Sequence, residues 1–159
     1  MDDAAFNLGT RSDPLGDPKG RLNPDLDALA AFVTRLNHFP RSPYRNRDGT
    51  LSPSAVRGKA IFMTLDCTHC HAGSAMIDSQ LHDVGTLKGT SGRRSGQPLT
   101  GIDTQTLRGI WATAPYLHDG SARTLIEVIS NSAHGNASGL SQSNKDDLVS
   151  YLNQIDDRD

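Results

Sequence analysis

Cys67-Thr68-His69-Cys70-His71 decides how this 159-residue chain is read, because its only two cysteines stand three residues apart with a histidine directly behind them. On one helical turn, thiols at i and i+3 reach the two vinyl groups of a porphyrin, and the next imidazole then lies under the iron. The stretch predicts one covalently attached haem c, with Cys67 and Cys70 as thioether anchors and His71 as the proximal iron ligand. A zinc half-site would need two further ligands, and with no other cysteine they must be His, Asp or Glu scattered among loops. A dithiol redox pair would need a βαβ setting that the sequence lacks. His69, between the anchors, reads as an exposed spacer.

The composition agrees with a cofactor in the core. Hydrophobic residues make up 35% and aromatics 5%, with 15 Gly and 8 Pro, so the chain is rich in loops and short of core-forming side chains that a buried porphyrin would supplement. No apolar run is long enough to span a membrane, and 16 Lys plus Arg against 18 Asp plus Glu give no basic excess for nucleic acid. The charge is uneven: residues 84–126 carry five bases against two acids, either a solvated face or a surface for an acidic partner or for cofactor carboxylates.

Hydrophobic periodicity predicts an all-α fold of short helices and long loops around the haem. Residues 1–21 read as an irregular leader. A helix over about 22–37 follows, with Asn23 as cap, Pro24 at its first position and a stripe of Leu26, Leu29, Phe32, Val33 and Leu36. Residues 38–49 read as a Pro-rich linker. A second helix runs from Ser52 or Ser54 to about Leu65 and delivers the chain into Cys67. Residues 72–101 read as a wrapping loop, and Thr106–Ala112 and Ala122–Ser130 as short helices. A last helix is capped by Ser141 or Ser143, with Leu148, Val149, Leu152 and Ile155 on one face. The expected division is 1–50 as leader, helix and linker, possessing the features of a preceding domain's tail, and 51–159 as the single-haem domain.

The sixth iron position separates electron transfer from small-molecule binding. Met63 and Met76 lie too close to the anchors to reach the opposite haem face and read as core or haem-edge packing. With His38 set aside in the linker, His82, His118 and His134 remain, and His134, on a loop after a short helix, is the favoured distal ligand. His118 reads as a histidine hydrogen-bonded to backbone or to a propionate.

Arg57-Gly58-Lys59-Ala60-Ile61-Phe62 leading into the cysteines, Leu81-His82-Asp83-Val84-Gly85-Thr86, and above all DTQTLRGIWATAPYLHDGSARTLIEVI (103–129) resemble the C-terminal haem domain of the bacterial di-haem cytochrome c peroxidase and MauG family over residues 50–156. The resemblance implies a cytochrome c fold in which Cys67, Cys70 and His71 hold an electron-relay haem. It places the distal ligand, a Met or Tyr in that family, near His134. It matches His118 to a histidine beside the haem, and Arg108, Trp111 and Tyr116 to a haem-packing segment.

Two functions follow. One is a carrier moving electrons through one haem to a redox-partner protein. The other is the relay half of a di-haem hydrogen peroxide reductase or MauG-like oxidase, working with an adjacent haem domain, since only one CxxCH is present. A zinc-stabilised binding module is a third, colourless alternative. Covalent haem attachment implies a periplasmic or otherwise extracytoplasmic location, although Met1-Asp2-Asp3 do not read as a signal peptide. Oligomeric state is open.

Overall fold

A computed structural model describes residues 24–36 and 40–157, and the chain divides into two compact units, Met1–His38 and Phe39–Asp159. In the first, helix α1 spans Pro24–Arg35, with Asp25 and Asp27 in its first turn and Arg35 in its last, as the helix dipole favours. Its stripe of Leu26, Leu29, Phe32 and Val33 is exposed. The leader, Asn23 and His38 lie outside the described residues.

The second unit is built on α2 (Pro53–Thr64) and α4 (Gln142–Leu152), with a short α3 (Leu125–Ser130) between them in sequence. Each begins on a hydroxyl cap that satisfies an orphan amide of the first turn: Ser52 accepts from Ala55 N, Thr124 from Glu127 N, and Ser141 from Asn144 N.

Helices α2 and α4 cross at Gly58, where a Cβ would stand 1.9 Å from the Asp147 carbonyl oxygen and 2.9 Å from Tyr151 Cβ. Only glycine lets the backbones approach so closely. Around this point Phe62 meets Tyr151 edge to face at 5.4 Å, and Arg57 grips the Asp147 carboxylate with both Nε and Nη2 at 2.7 Å. Ala55, Phe62, Leu107, Leu125, Ile129, Leu148, Leu152 and Ile155 form the buried core between the helices and the loops.

The all-α expectation needs correction. Two antiparallel ribbons are present: β1 (Leu81–His82) pairs with β4 (Ile102–Asp103), and β2 (Arg93–Arg94) pairs with β3 (Gln97–Pro98). Two-residue strands are too short to leave an alternating pattern in the sequence. The second ribbon turns through Ser95 and Gly96, both at positive φ (51° and 78°), a combination suited to a tight hairpin. The helix expected over Thr106–Ala112 contracts to a 3₁₀ turn at Ile110–Ala112, because Gly109 adopts the left-handed conformation before it.

The stretch read as a linker is bonded to the end of α4. Ser42 N and Arg45 Nε approach the fully buried Asp156 carboxylate at 3.0 and 3.3 Å, Ser42 Oγ donates to the Asn153 carbonyl, and Gln154 Oε1 accepts from Ser52 N. These partners lie about a hundred residues apart in sequence. Met76 packs against the core as expected, whereas Met63 is 59% exposed on α2.

Candidate haem site

Helix α2 ends at Thr64, and Asp66 then takes a left-handed conformation (φ 58°) that turns the chain into the 3₁₀ turn Cys67–His69. His71 N closes the turn on the Cys67 carbonyl at 3.0 Å. Cys67 and Cys70 are half-buried free thiols, and Cys67 also touches the core. Burial pushes both thiols above their ordinary pKa, with the Asp66 and Asp78 charges adding to the effect at Cys70.

The imidazole of His71 is fixed by its Nδ1, which donates to the Met76 carbonyl at 3.3 Å, and the Gln105 backbone also bonds the ring. Burial lowers its pKa, so the neutral, metal-binding form prevails at neutral pH. Facing it is His134, on the turn after α3, held by its own amide to the Asn131 carbonyl at 3.0 Å. Burial also depresses the His134 pKa, His71 adds to that, and the Val128 carbonyl pulls the other way. Nδ1 of His134 is buried without a hydrogen-bond partner.

The two imidazole rings stand 6.3 Å apart, centre to centre, with an interplanar angle of 70°. Rings at this separation leave room for a metal bound at about 2.0–2.1 Å from a nitrogen of each. The donor set therefore fits a haem iron held between His71 and His134, with Cys67 and Cys70 beside it. The sequence favoured His134 among three histidines, and the structure stands its ring beside that of His71.

His118 is occupied otherwise. Its Nδ1 meets Thr86 Oγ1 at 2.8 Å and its Nε2 meets Ser91 Oγ at 3.3 Å, so its partners are hydroxyls, where backbone or a propionate was expected. His82 bonds Asp78 through Nε2 at 2.7 Å, and its Nδ1 lies 4.0 Å from Cys70 Sγ. Thr104 and the Gln80 amide also bind Asp78, and with His82 these contacts hold its carboxyl below the usual range. Cys70, Asp78 and His82 are thus the mixed ligand group that a zinc reading lacked in the sequence. The same sulfur belongs to the Cys67–Cys70 pair, so the group is part of this site rather than separate from it.

In the segment leading away from the proximal side, Tyr116 OH donates to the Ile110 carbonyl at 3.1 Å, and Arg108 Nη1 pairs with Asp157 at 3.2 Å. Trp111 lies edge-on to Tyr44 at 6.4 Å, and its indole Nε1 is buried without a partner, a donor available to an acceptor such as a propionate. Asp78, Thr86 and Asn131 order the site without having been singled out in the sequence, and only their place in polar loops could have pointed to them.

The fold and the facing histidines define a cytochrome c-like domain. Residues 101–136 match the RoxA-like, cytochrome c-like family, and the chain is similar to cytochrome c-like proteins, MauG-family relatives among them. It is 35% identical to hydrazine synthase subunit gamma of Kuenenia stuttgartiensis over 82% of its own length and 48% of that protein. It is 29% identical to the methylamine utilization protein MauG of Methylophilus methylotrophus, over 81% of this chain and 45% of that one. The chain thus spans about half the length of the curated relatives it matches.

Among solved structures, Kuenenia stuttgartiensis hydrazine synthase superposes with a TM-score of 0.67 at 34% identity, covering 82% of this chain and 55% of that one. A MauG-like protein associated with microbial copper homeostasis superposes with a TM-score of 0.61 at 21% identity, over 94% and 64% of the two chains, and so shares the fold. No helix among the described residues is long and apolar enough to cross a membrane.

Proposed function

We propose that this chain is a c-type cytochrome domain that carries electrons through one haem, bound covalently by Cys67 and Cys70 and ligated by His71 and His134. The observation that carries this reading is the 6.3 Å separation of two half-buried imidazoles, one of them directly behind the cysteine pair. When bound, the haem supplies a one-electron couple. His71 is oriented by the Met76 carbonyl, and His134 by the turn that Asn131 begins. Two imidazoles favour a lower potential than a His/Met pair. Trp111 and Arg108 offer donors for propionates. Covalent haem attachment supports an extracytoplasmic location.

A second reading, the relay half of a di-haem peroxide reductase or MauG-like oxidase, draws on the chain's spanning about half of its MauG relative. It needs an adjacent haem domain to supply the peroxide-reacting centre.

The test is the visible spectrum of protein matured with a haem c assembly system, ferric and ferrous, before and after CO and hydrogen peroxide. The expected result is a covalent, low-spin haem indifferent to both, with His134→Ala binding CO readily. Haem extractable by acidic acetone would overturn covalent attachment. A high-spin, CO-binding, peroxide-reactive haem in the unaltered protein would overturn the carrier reading in favour of a catalytic centre.

A further inference from the structure

We propose that the β2–β3 hairpin carrying Arg93 and Arg94 is the docking surface for an acidic redox-partner protein; this rests on the electron-carrier reading above. Residues 84–101 contain Lys88, Arg93 and Arg94 and no acid, in a chain whose net charge is −2. Other bases in the region are matched: Lys88 pairs with Asp119 at 3.0 Å, Arg123 with Glu127, and Arg108 with Asp157. Arg93 and Arg94 have no carboxylate partner among the described residues; Arg93 Nη1 bonds only the Gly96 carbonyl of its own turn. Every residue from 92 to 98 is exposed, and a Cβ placed on Gly89, Gly92 or Gly96 would meet nothing within 4 Å, so nothing among the described residues covers the hairpin.

The hairpin is tied to the distal side of the site by a continuous set of contacts. Ser91 and the buried Thr86 grip the two nitrogens of His118. Directly before Thr86, the Val84 carbonyl accepts from Asn131 Nδ2 at 3.2 Å, and a Cβ on Gly85 would clash with Ala133 Cβ at 2.7 Å. Asn131 and Ala133 belong to the turn that presents His134. Two guanidinium groups without a carboxylate partner among the described residues thus sit on a hairpin linked through Ser91, His118 and Thr86 to the loop that carries His134, on a tight turn rather than a loose tail. A local cationic patch on a protein of opposite net charge attracts a carboxylate-bearing surface and orients it, and such steering is salt-dependent. Arginine suits the role because its planar fork binds carboxylates bidentately.

The experiment uses haem-loaded protein whose covalent low-spin spectrum has been verified, so loss of the haem would count against the carrier reading and not against this one. Ferrous protein is mixed with ferricyanide, which takes one electron from each haem and becomes ferrocyanide, and with the cation tris(phenanthroline)cobalt(III), at about 10 mM and 200 mM ionic strength. The ferricyanide rate is expected to fall about threefold or more at the higher salt although the whole protein is negative, and the cobalt rate to rise. Arg93→Gln/Arg94→Gln should abolish the fall, with the spectrum unchanged, and poly-L-glutamate should slow ferricyanide only where the arginines are present. A ferricyanide rate that is flat or rises with salt, or a double variant that behaves as the parent, overturns the proposal. Arginine-dependent sedimentation with phosphatidylserine vesicles, without inhibition by poly-L-glutamate, overturns it in favour of a lipid surface.

Discussion

At the α2–α4 crossing the Asp147 carbonyl occupies the place where a Cβ of Gly58 would be, whereas between Asp66 and Leu140 no regular element exceeds the six residues of α3. The crossing is held by backbone contact, an aromatic pair and a bidentate ion pair. The loops are held one by one, through Asp78 on His82, Thr86 on His118 and Asn131 on Val84. Both facing histidines belong to the second region. The difference teaches a division of labour: the helices supply stability, and side-chain bonds to loop backbone set where the histidines stand. It follows that substitutions in one region should move unfolding, and in the other ligation.

The largest effect is expected from Gly58→Val. Its β-branched side chain cannot enter the crossing without moving Asp147 or Tyr151, which should cost about 3 kcal/mol, or lower the melting temperature by roughly 10 °C. Circular dichroism melts of the haem-loaded variant would measure this, and its visible spectrum should match the parent's below the transition. A spectrum altered at low temperature would show that the crossing also positions the histidines, and the division would fail.

The converse is Asn131→Ala. It removes the bond from Asn131 Nδ2 to Val84 and the bond that Asn131 Oδ1 accepts from Ala133 N at 3.0 Å. Two exposed or half-buried bonds of this kind are worth about 1–2 kcal/mol together. The turn before His134 would loosen, so the ferrous protein should bind CO partially and slowly while its melting temperature falls by only a few degrees. A large fall in stability with no CO binding would mean that Asn131 serves the scaffold.

This contrast also explains what the sequence makes legible. Helices α2 and α4 repeat apolar residues at helical spacing, so their existence can be read directly, while the sequence left each start open between two serines and the structure caps them at Ser52 and Ser141. Cys67, Cys70 and His71 are legible as a candidate haem site because their spacing is the one that porphyrin geometry demands. His134 is reached only by eliminating other histidines and by resemblance, since a histidine 63 positions after His71 carries no periodic mark of its meeting that ring. The Thr86–His118 and Asn131–Val84 bonds join residues 32 and 47 positions apart, and the clamp of Ser42 on Asp156 spans 114. Such pairings obey no period, so a linker and a loop were the only readings available for segments that the fold in fact ties down.

The smallest effect is expected from the charge at the crossing, and pH separates it from packing. Asp147 is held below the usual carboxylate pKa first by the Arg57 guanidinium and then by Ser54 Oγ, at 2.5 Å, against the opposing effect of burial. A carboxyl whose pKa is depressed on folding contributes stability that is complete above its unfolded value, about 3.9, and is lost as pH falls through the lower folded value. Asp147→Asn keeps the shape and removes the charge. At pH 7 the variant should melt below the parent, and the gap should narrow as the pH drops below about 4, because the parent then surrenders the same interaction. Melting both proteins between pH 7 and pH 3 measures the gap. A gap that stays constant to the acid end would mean that the shape of Asp147 in the crossing, rather than its pairing with Arg57, is what the scaffold uses, and the backbone contact at Gly58 would then carry the crossing alone.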